Sequence, residues 1–359
     1  MLTIGIVGLP NVGKSTLFNA LTNSSVLVAN YPFATIEPNT AIVNVPDPKL
    51  VKLSELYHAR NVVPATIRFV DIAGLIAGAS QGEGLGNQFL EHIRNTSLIL
   101  EVVREFKDTD IIRTNPQNDS SQDIAVITTE LILADLATVD RKLHQLDKEA
   151  KANPKLAPLA TKLAQIRNTL DQGKPLSAHY SPEELEDFRE LRLLTSKPVI
   201  YVFNVDDTVL NDPQKQAALR QLVSPSPSLF IDAKLENELT ELGETAEADS
   251  LRSLYNLDQA GLKPLIQEAY RYLNLQVFYT AGEKEVRSWT IPIGTTASKA
   301  AGVIHSDFER GFIAAEIVNY NDLISLGSLN ACRANGKLRT EGKNYIMQPD
   351  DIVEFKFNV

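Results

Sequence analysis

The 359-residue sequence predicts an α/β fold with an inserted helical hairpin and a smaller α+β domain at its C-terminal end. Short apolar runs alternate with helical patterns up to about residue 103 and again from residue 198, which is typical of a parallel sheet covered on both faces. Between these stretches, apolar residues recur every three or four positions over 124–146 and 156–170. That spacing predicts two helices packed as an antiparallel coiled coil, the alternative being two helices that lie on the sheet.

The pattern places domain boundaries at the polar stretch after residue 115 and at the change of character near Leu275. We expect a nucleotide-binding domain over 1–115 and 195–274, the helical insertion over 116–194, and the α+β domain over 275–359. The composition is that of a globular protein, and no apolar run is long enough for a membrane span.

Charge and cysteine content exclude several classes of function. The net charge of −10 argues against DNA binding and other sequence-independent contacts with nucleic acid. The single cysteine, Cys332, excludes an internal disulfide and a cysteine-based zinc cluster, and favours the cytoplasm. We expect a monomer that does not associate with membranes.

The stretch from Gly8 to Ser15 matches the phosphate-binding pattern G-x-x-x-x-G-K-[ST]. An apolar strand pattern precedes it and a helical pattern follows it, so the loop amides and the helix N-terminus face one point. The alternative is a tight strand-to-helix turn without a ligand. The pattern predicts that a nucleoside triphosphate is held by the following loop residues: Asn11, Val12, Gly13, Lys14, Ser15 and Thr16.

Two further elements are expected to contact the γ-phosphate and Mg²⁺. Asp71 and Gly74 form a D-x-x-G element at a strand end, where the carboxylate can hold the metal through water and the glycine amide can bond the phosphate. Thr35 lies in the intervening loop and is the candidate second protein ligand beside Ser15. The alternative is that Thr35 is an ordinary surface threonine without a ligand.

Several long segments resemble the YchF (Obg-like ATPase) subfamily of P-loop GTPase-like proteins. The resemblance runs over the whole chain and rests on the segments 30–39, 71–80, 82–90, 301–311 and 355–359. It implies a Ras-like domain with an inserted coiled coil, a C-terminal TGS domain of β-grasp type, nucleoside triphosphate hydrolysis, and association with the ribosome and ribosomal RNA.

The residues that would activate water depart from ordinary GTPase chemistry. Leu75 stands where a catalytic glutamine would follow the D-x-x-G element, and it cannot orient water. One substitute is K⁺ held by Asn11, although a hydrogen bond that stabilises the loop explains this asparagine equally well. The other is Arg113, which stands where many relatives carry histidine and could stabilise charge on the transferred phosphoryl group. A solvated loop arginine is its alternative.

The base-recognition element is also altered. Guanine-binding proteins carry N-K-x-D, and this chain has Asn204-Val205-Asp206-Asp207, so the lysine is missing. Val205 favours ATP, because members of the subfamily contact adenine through the main chain there, whereas Asp207 leaves GTP open. Ala233 and Lys234 occupy the position of the loop that supports the base.

The C-terminal domain carries a local excess of basic residues, a candidate contact with ribosomal RNA: Arg333, Lys337, Arg339 and Lys343. A solvated hairpin is the alternative. A second docking candidate is the group of basic residues near the tip of the predicted coiled coil: Arg141, Lys142, Lys148, Lys151 and Lys155. The sequence therefore predicts a slow, Mg²⁺-dependent triphosphatase that prefers ATP and switches on the ribosome. The alternatives are a GTPase, or a nucleotide-gated binding module in which hydrolysis is incidental.

Overall fold

A computed structural model describes residues 2–24, 39–72, 85–108, 119–243, 245–254 and 262–358. The chain divides into two compact units, Met1–Val43 with Arg68–Leu265, and Asn44–Ile67 with Ile266–Val359. No described helix is long and apolar enough to cross a membrane.

The strands, numbered in chain order, are β1 (Leu2–Val7), β2 (Thr40–Asn44), β3 (Asn61–Val63), β4 (Thr66–Asp71), β5 (Leu98–Glu105), β6 (Val199–Val205), β7 (Ser228–Ile231), β8 (Leu275–Ala281), β9 (Glu285–Pro292), β10 (Phe312–Asn319), β11 (Arg339–Glu341) and β12 (Asp351–Phe357). The helices are α1 (Lys14–Ser24), α2 (Pro48–Tyr57), α3 (Leu85–Arg94), α4 (Ser120–Ala152), α5 (Ala157–Asp171), α6 (Asp207–Leu210), α7 (Pro213–Leu222), α8 (Ala233–Leu242), α9 (Ala246–Leu254), α10 (Leu262–Tyr272), α11 (Ala297–Ile304), α12 (Ser306–Arg310), α13 (Tyr320–Leu326) and α14 (Leu329–Ala334).

The first sheet has the strand order β2-β4-β1-β5-β6-β7, which confirms the predicted α/β fold. The pairs β1–β5, β5–β6 and β6–β7 are parallel. Strands β1, β5 and β6 carry almost continuous buried apolar side chains, as expected for strands covered on both faces. Because parallel strands end at the same edge, the loops that follow β1, β5, β6 and β7 come together there.

Helices α4 and α5 form the predicted helical pair within the first unit. Asp119 begins α4 with a capping box, in which its carboxylate accepts the Gln122 amide and the Gln122 side chain accepts the Asp119 amide. The two helices share a core built from positions that the three- and four-residue spacing had predicted: Val139 and Leu146 of α4, and Leu163, Ile166 and Leu170 of α5. The coiled-coil description itself stays a prediction.

The second sheet has the order β11-β10-β12-β8-β9-β3. Its edge strand β3 lies within residues 44–67, which the strand–helix alternation assigns to the nucleotide-binding domain. They belong to the C-terminal unit because β3 pairs in parallel with β9 and because Leu50 and Leu53 of α2 lie in its core. Asp47 caps α2 and accepts the Tyr279 hydroxyl at 2.9 Å. A three-residue strand carries too weak a pattern to reveal this.

Candidate nucleotide-binding site

The loop after β1 has a backbone that the sequence pattern explains position by position. Gly13 has φ +89°, and a Cβ atom there would overlap the Asn204 side-chain amide. A Cβ on Gly8 would lie 2.8 Å from the Val102 carbonyl oxygen and 2.9 Å from Val12 Cγ2. The two glycines of the pattern are therefore required by close packing, and Gly13 also by its left-handed backbone.

Asn11 also has a left-handed backbone, with φ 65°. Asparagine tolerates this conformation better than most residues, since its short polar side chain can bond locally. The backbone thus gives a reason for asparagine at this position that does not involve a cation. Its predicted contact with K⁺ stays a prediction.

Asn204, at the end of β6, connects two loops of the site. Its Nδ2 donates to the Val12 carbonyl oxygen at 2.9 Å, and its Oδ1 accepts the Ala233 amide at 3.0 Å. The side chain is 6% exposed, so both bonds are shielded from water. Asn204 therefore fixes the phosphate-binding loop relative to the start of α8.

The charged residues predicted for the phosphate end lie together. Helix α1 begins at Lys14, and the Lys14 Nζ contacts the Asp71 carboxylate at the end of β4. Their side chains are 10% and 16% exposed, respectively. Ser15 is exposed and lines a cavity between the phosphate-binding loop and residues 106–108. A hydroxyl and a carboxylate are oxygen ligands of the kind Mg²⁺ prefers, and they fit a metal that takes its other ligands from phosphate and water.

The chain over residues 106–108, after β5, is a part of the site that the sequence did not reveal. Phe106, Lys107 and Asp108 line the cavity. Arg104 holds this segment, donating from Nε to the Phe106 carbonyl at 3.4 Å and from Nη2 to the Asp108 carbonyl at 3.1 Å. Its guanidinium lies 4.4 Å from the Phe106 ring centroid. An arginine at a strand end, followed closely by an aromatic residue and an aspartate, is the only sequence signal for this arrangement.

Asp206 fixes the other side of the same segment. Its carboxylate accepts the Lys107 amide at 3.1 Å and caps α6 by accepting the Val209 amide at 3.3 Å. Burial alone would raise its pKa, but hydrogen bonds from the Thr208 hydroxyl and these amides outweigh burial and lower the pKa of Asp206. The carboxylate is therefore ionised at neutral pH and acts as a structural acceptor.

The predicted base-contacting residues are placed unequally. Val205 and Lys234 line the cavity, and Asp206 lines it in place of Asp207, which is exposed at the start of α6. Ala233 is buried and contributes its amide to Asn204. Asp232, which caps α8 by accepting the Lys234 and Leu235 amides, lines the cavity as well, and burial raises its pKa despite these bonds. The role predicted for Asp207 in base recognition stays untested.

The described residues enclose a cavity of about 820 Å³ between the phosphate-binding loop and the 106–108 segment. The described chain holds no group of three or more His, Cys, Asp or Glu side chains that could bind a metal by themselves. Thr35, Gly74, Leu75 and Arg113 lie outside the described residues.

The basic residues predicted to face RNA are mostly engaged within the C-terminal unit. Arg333 lies 3.7 Å from Glu316, Lys337 lies 3.2 Å from Asp322, and Arg339 lies 3.6 Å from Glu341 and 3.8 Å from Asp351. Lys343 is exposed and forms no ion pair with any other described residue. Three of the four charges are therefore partly neutralised by neighbouring carboxylates.

Comparison with known proteins gives matches along the whole chain. A family model described as "50S ribosome-binding GTPase" matches residues 3–205, and the model YchF-GTPase_C, described as a protein of unknown function, matches 275–358. The Ribosome-binding ATPase YchF of Haemophilus ducreyi is 46% identical over 99% of both chains. That of Bacillus subtilis is 44% identical over 100% of both.

Solved structures agree with these matches. The Schizosaccharomyces pombe YchF GTPase superposes with a TM-score of 0.87 at 40% identity, covering 99% of this chain and 97% of that one. A GTP binding protein from Pyrococcus horikoshii OT3 superposes with a TM-score of 0.61 at 19% identity, covering 99% of this chain and 100% of its own, which supports the fold alone.

Proposed function

Because the chain belongs to the YchF family, we propose that it is a Mg²⁺-dependent nucleoside triphosphatase that prefers ATP, turns over slowly and acts on the ribosome. The observation that carries this proposal is the cavity at the carboxyl edge of the first sheet. Lys14 lines this cavity and contacts Asp71, and Asn204 holds the preceding loop through the Val12 carbonyl oxygen. The names of the relatives, Ribosome-binding ATPase, support both the activity and the partner.

The residues divide into three tasks. The loop amides of residues 11–16 and Lys14 bind the phosphates, because the helix N-terminus and a full positive charge face the same point. Ser15, Thr35 and, through water, Asp71 hold Mg²⁺, which neutralises charge on the β- and γ-phosphates. The Gly74 amide bonds the γ-phosphate. Thr35 and Gly74 enter as sequence-based assignments.

Phe106 supports the preference for ATP. Without the lysine of N-K-x-D, the base lacks the aliphatic stem that covers one of its faces, and Phe106 supplies an aromatic surface in the same cavity. Stacking of a base on an aromatic ring is worth about 1–3 kcal/mol and does not select guanine. Selection then depends on the main chain at Val205. Asp207 is the residue that would favour GTP, and its exposed position weakens that alternative.

Two candidates compete for the role of activating water. K⁺ at Asn11 predicts faster turnover in K⁺ than in Na⁺, and equal rates would exclude it. Arg113 as a stabiliser of phosphoryl charge predicts a slower rate in Arg113→Ala with little change in ATP affinity. An unchanged rate would exclude Arg113. Because Leu75 cannot position water, turnover without a partner should be slow in both cases.

The hairpin tip is the better-supported surface for the ribosome. Near this tip Lys142 pairs with Glu190 at 2.7 Å, but Lys148, Lys151 and Lys155 are exposed and form no ion pair with other described residues. In the C-terminal unit, three of the four basic residues are paired. A lysine that is not already paired with a carboxylate neutralises a phosphate more fully and so displaces more counterions from the RNA. Such lysines therefore contribute more affinity. We therefore assign the first contact with ribosomal RNA to the hairpin tip and a secondary one to the surface around Lys343.

The experiment that tests this function combines hydrolysis with ribosome co-sedimentation. The wild type should hydrolyse ATP slowly and should sediment with ribosomes differently in ATP and ADP. Lys14→Ala should lose hydrolysis and the nucleotide dependence together, and the exposed Lys148→Ala should weaken sedimentation but keep hydrolysis. If sedimentation ignores the nucleotide, and Lys14→Ala behaves as wild type on the ribosome, the chain is a binding module in which hydrolysis is incidental.

A further inference from the structure

The two central strands of the C-terminal sheet pair over a much shorter distance than their neighbours. Strand β12 is in register with β10 at seven positions, and β8 with β9 at seven. Between β8 and β12, both fully described, pairing occurs at one register position, Ile352↔Tyr279. The Asp350 amide bonds the Val277 carbonyl just before it, at 3.1 Å. After Tyr279 and Ile352, the two strands continue without pairing to each other.

A cavity of about 670 Å³ lies where the strands separate. Residues 280–282, at the end of β8, form one side, and residues 353–355 of β12 form the other. Successive residues of a strand point to opposite faces, so a cavity lined by three residues in a row must reach the edge of that strand. The backbone edges of both strands therefore face this cavity.

The cavity is also lined from both faces of the sheet. Trp289 and Phe308 belong to the core on one face, and Tyr57 and Leu329 belong to the core on the other. A cavity that reaches both cores passes through the sheet. It is a slot with apolar walls above and below and with strand edges at its sides. We call it the β8–β12 slot.

One polar group of the slot has no hydrogen-bond partner among the described residues. The Tyr57 hydroxyl is buried and has no hydrogen bond to any described residue. Burial raises the pKa of Tyr57 to about 12, so the hydroxyl keeps its proton and can donate. A buried donor without an acceptor is unfavourable, and an incoming carbonyl oxygen would supply the missing hydrogen bond.

Acidic residues lie at the mouth of the slot. Glu283 and Glu285 are exposed on either side of Lys284, and all three line the cavity. Neither glutamate forms an ion pair with another described residue. The two glutamates outnumber Lys284, so the mouth of the slot favours a positively charged group on a ligand that binds there.

We propose that the β8–β12 slot binds an extended segment of a partner protein, which pairs as an additional strand with the free edge of β12. Unpaired strand edges are templates for this kind of addition. The segment should be apolar at successive positions, because its alternate side chains enter the two cores, as in a strand buried on both faces. It should carry lysine or arginine where it meets Glu283 and Glu285. Five residues, matching 353–357, would span about 16 Å.

The test uses the full chain and a pool of heptapeptides with lysine at both ends and Val, Ile, Phe or Tyr at the five central positions. Trp289 is the single tryptophan, so its emission reports binding directly. We expect a saturable change in emission for members of the pool. The same peptides methylated at alternate backbone nitrogens keep their side chains but lose strand donors, and should bind roughly tenfold more weakly or not at all.

A pair of tyrosine variants separates binding from folding. Tyr57→Phe removes this hydroxyl and should weaken peptide binding roughly threefold to tenfold, the equivalent of one neutral hydrogen bond, without loss of thermal stability. Tyr272→Phe, at a half-buried tyrosine outside the slot, should change neither property.

Three results would overturn the proposal. The first is that no peptide of the pool alters Trp289 emission. The second is that the methylated peptides bind as tightly as their parents, which would make the slot an apolar ligand pocket. The third is that the chain self-associates with rising concentration and the peptides dissociate it, which would make the occupant a second copy. Hydrogen exchange gives an independent measure, since amides of alternate residues in 353–357 should slow on peptide binding.

Discussion

The nucleotide cavity and the β8–β12 slot have similar volumes, about 820 and 670 Å³, but differ in how their polar groups are satisfied. In the nucleotide cavity, Asn204, Asp206 and Asp232 each accept or donate hydrogen bonds that fix a loop. In the slot, the Tyr57 hydroxyl has no described partner, and two strand edges lie unpaired. We therefore expect the first to be organised in advance for phosphates, and the second to be completed only by a ligand that supplies its own backbone.

The largest effect is expected at Gly13, where two constraints coincide. Gly13→Ala adds a Cβ at φ +89° that overlaps the Asn204 amide, so it should break the bond to Val12 and move the loop. We expect nucleotide affinity, measured by calorimetry, to fall roughly 100-fold or more.

Gly173 provides the matched control for Gly13. It has φ +72°, and no atom lies within 4 Å of the position that an alanine methyl group would take. Gly173→Ala should therefore lose about 1 kcal/mol of unfolding free energy from the backbone alone, with nucleotide affinity unchanged. Equal nucleotide affinities for the two variants would contradict the role given to the Gly13–Asn204 contact.

The first unit also holds a buried polar atom without a described partner, the Oε1 of Glu101. Glu101 lies on β5 and is 3% exposed, and burial followed by the Asp123 charge raises its pKa to about 8. The folded state therefore holds a proton that the unfolded chain releases above its ordinary pKa of 4.5. Stability should fall as pH rises from about 4.5 to 8.

Glu101→Gln tests this directly by chemical unfolding at several pH values. The amide cannot ionise, so the variant should be more stable than the wild type at pH 8 by on the order of 1–3 kcal/mol, with the difference shrinking towards pH 5. A difference independent of pH would show that Glu101 does not titrate in this range.

Two tyrosines of the C-terminal unit, the buried Tyr279 and the half-buried Tyr57, compare a satisfied hydroxyl with an unsatisfied one. Tyr279→Phe loses the hydrogen bond to Asp47 and should reduce unfolding free energy by about 1–3 kcal/mol, since the acceptor is charged. Tyr57→Phe loses no described bond and should leave stability unchanged or raise it by about 0.5 kcal/mol. If the two variants were equally destabilised, Tyr57 would have a partner in solution and the slot would not be incomplete.

The smallest effects are expected for the surface charges of the C-terminal unit. Lys337→Ala removes a half-exposed ion pair with Asp322 and should change stability by less than about 0.5 kcal/mol. Lys343→Ala removes an exposed lysine and should weaken ribosome sedimentation more than Lys337→Ala does. The reverse order would return the RNA contact to the paired residues.

The geometry of the loop from Gly8 to Ser15 could be predicted because its sequence pattern is tied to the path of the chain. Gly8 and Gly13 lie in one short loop directly after β1, where Val102 and Asn204 leave no room for a Cβ atom, and two such positions at a set spacing leave a short, fixed pattern. Phe106 and Arg104 could not be found in this way, because their value depends on a stacking contact and on the position of a loop beside a distant strand.

Strand pairing was even harder to predict from the sequence. Residues 44–67 belong to the second unit through one three-residue pairing, β3 with β9, and through two buried leucines. The β8–β12 slot arises where pairing stops, and neither strand's composition marks that point. Sequence periodicity predicts that a strand exists, but partner and register follow from the packing of the whole unit.

Calorimetric titration of the wild type with ATP and with GTP in the presence of Mg²⁺ tests the central claim most directly. Because selection depends on the main chain at Val205, ATP should bind more tightly than GTP, and because Phe106 stacks on either base, Phe106→Ala should weaken both. Binding of GTP roughly tenfold tighter than ATP, with Phe106→Ala unchanged, would contradict the account.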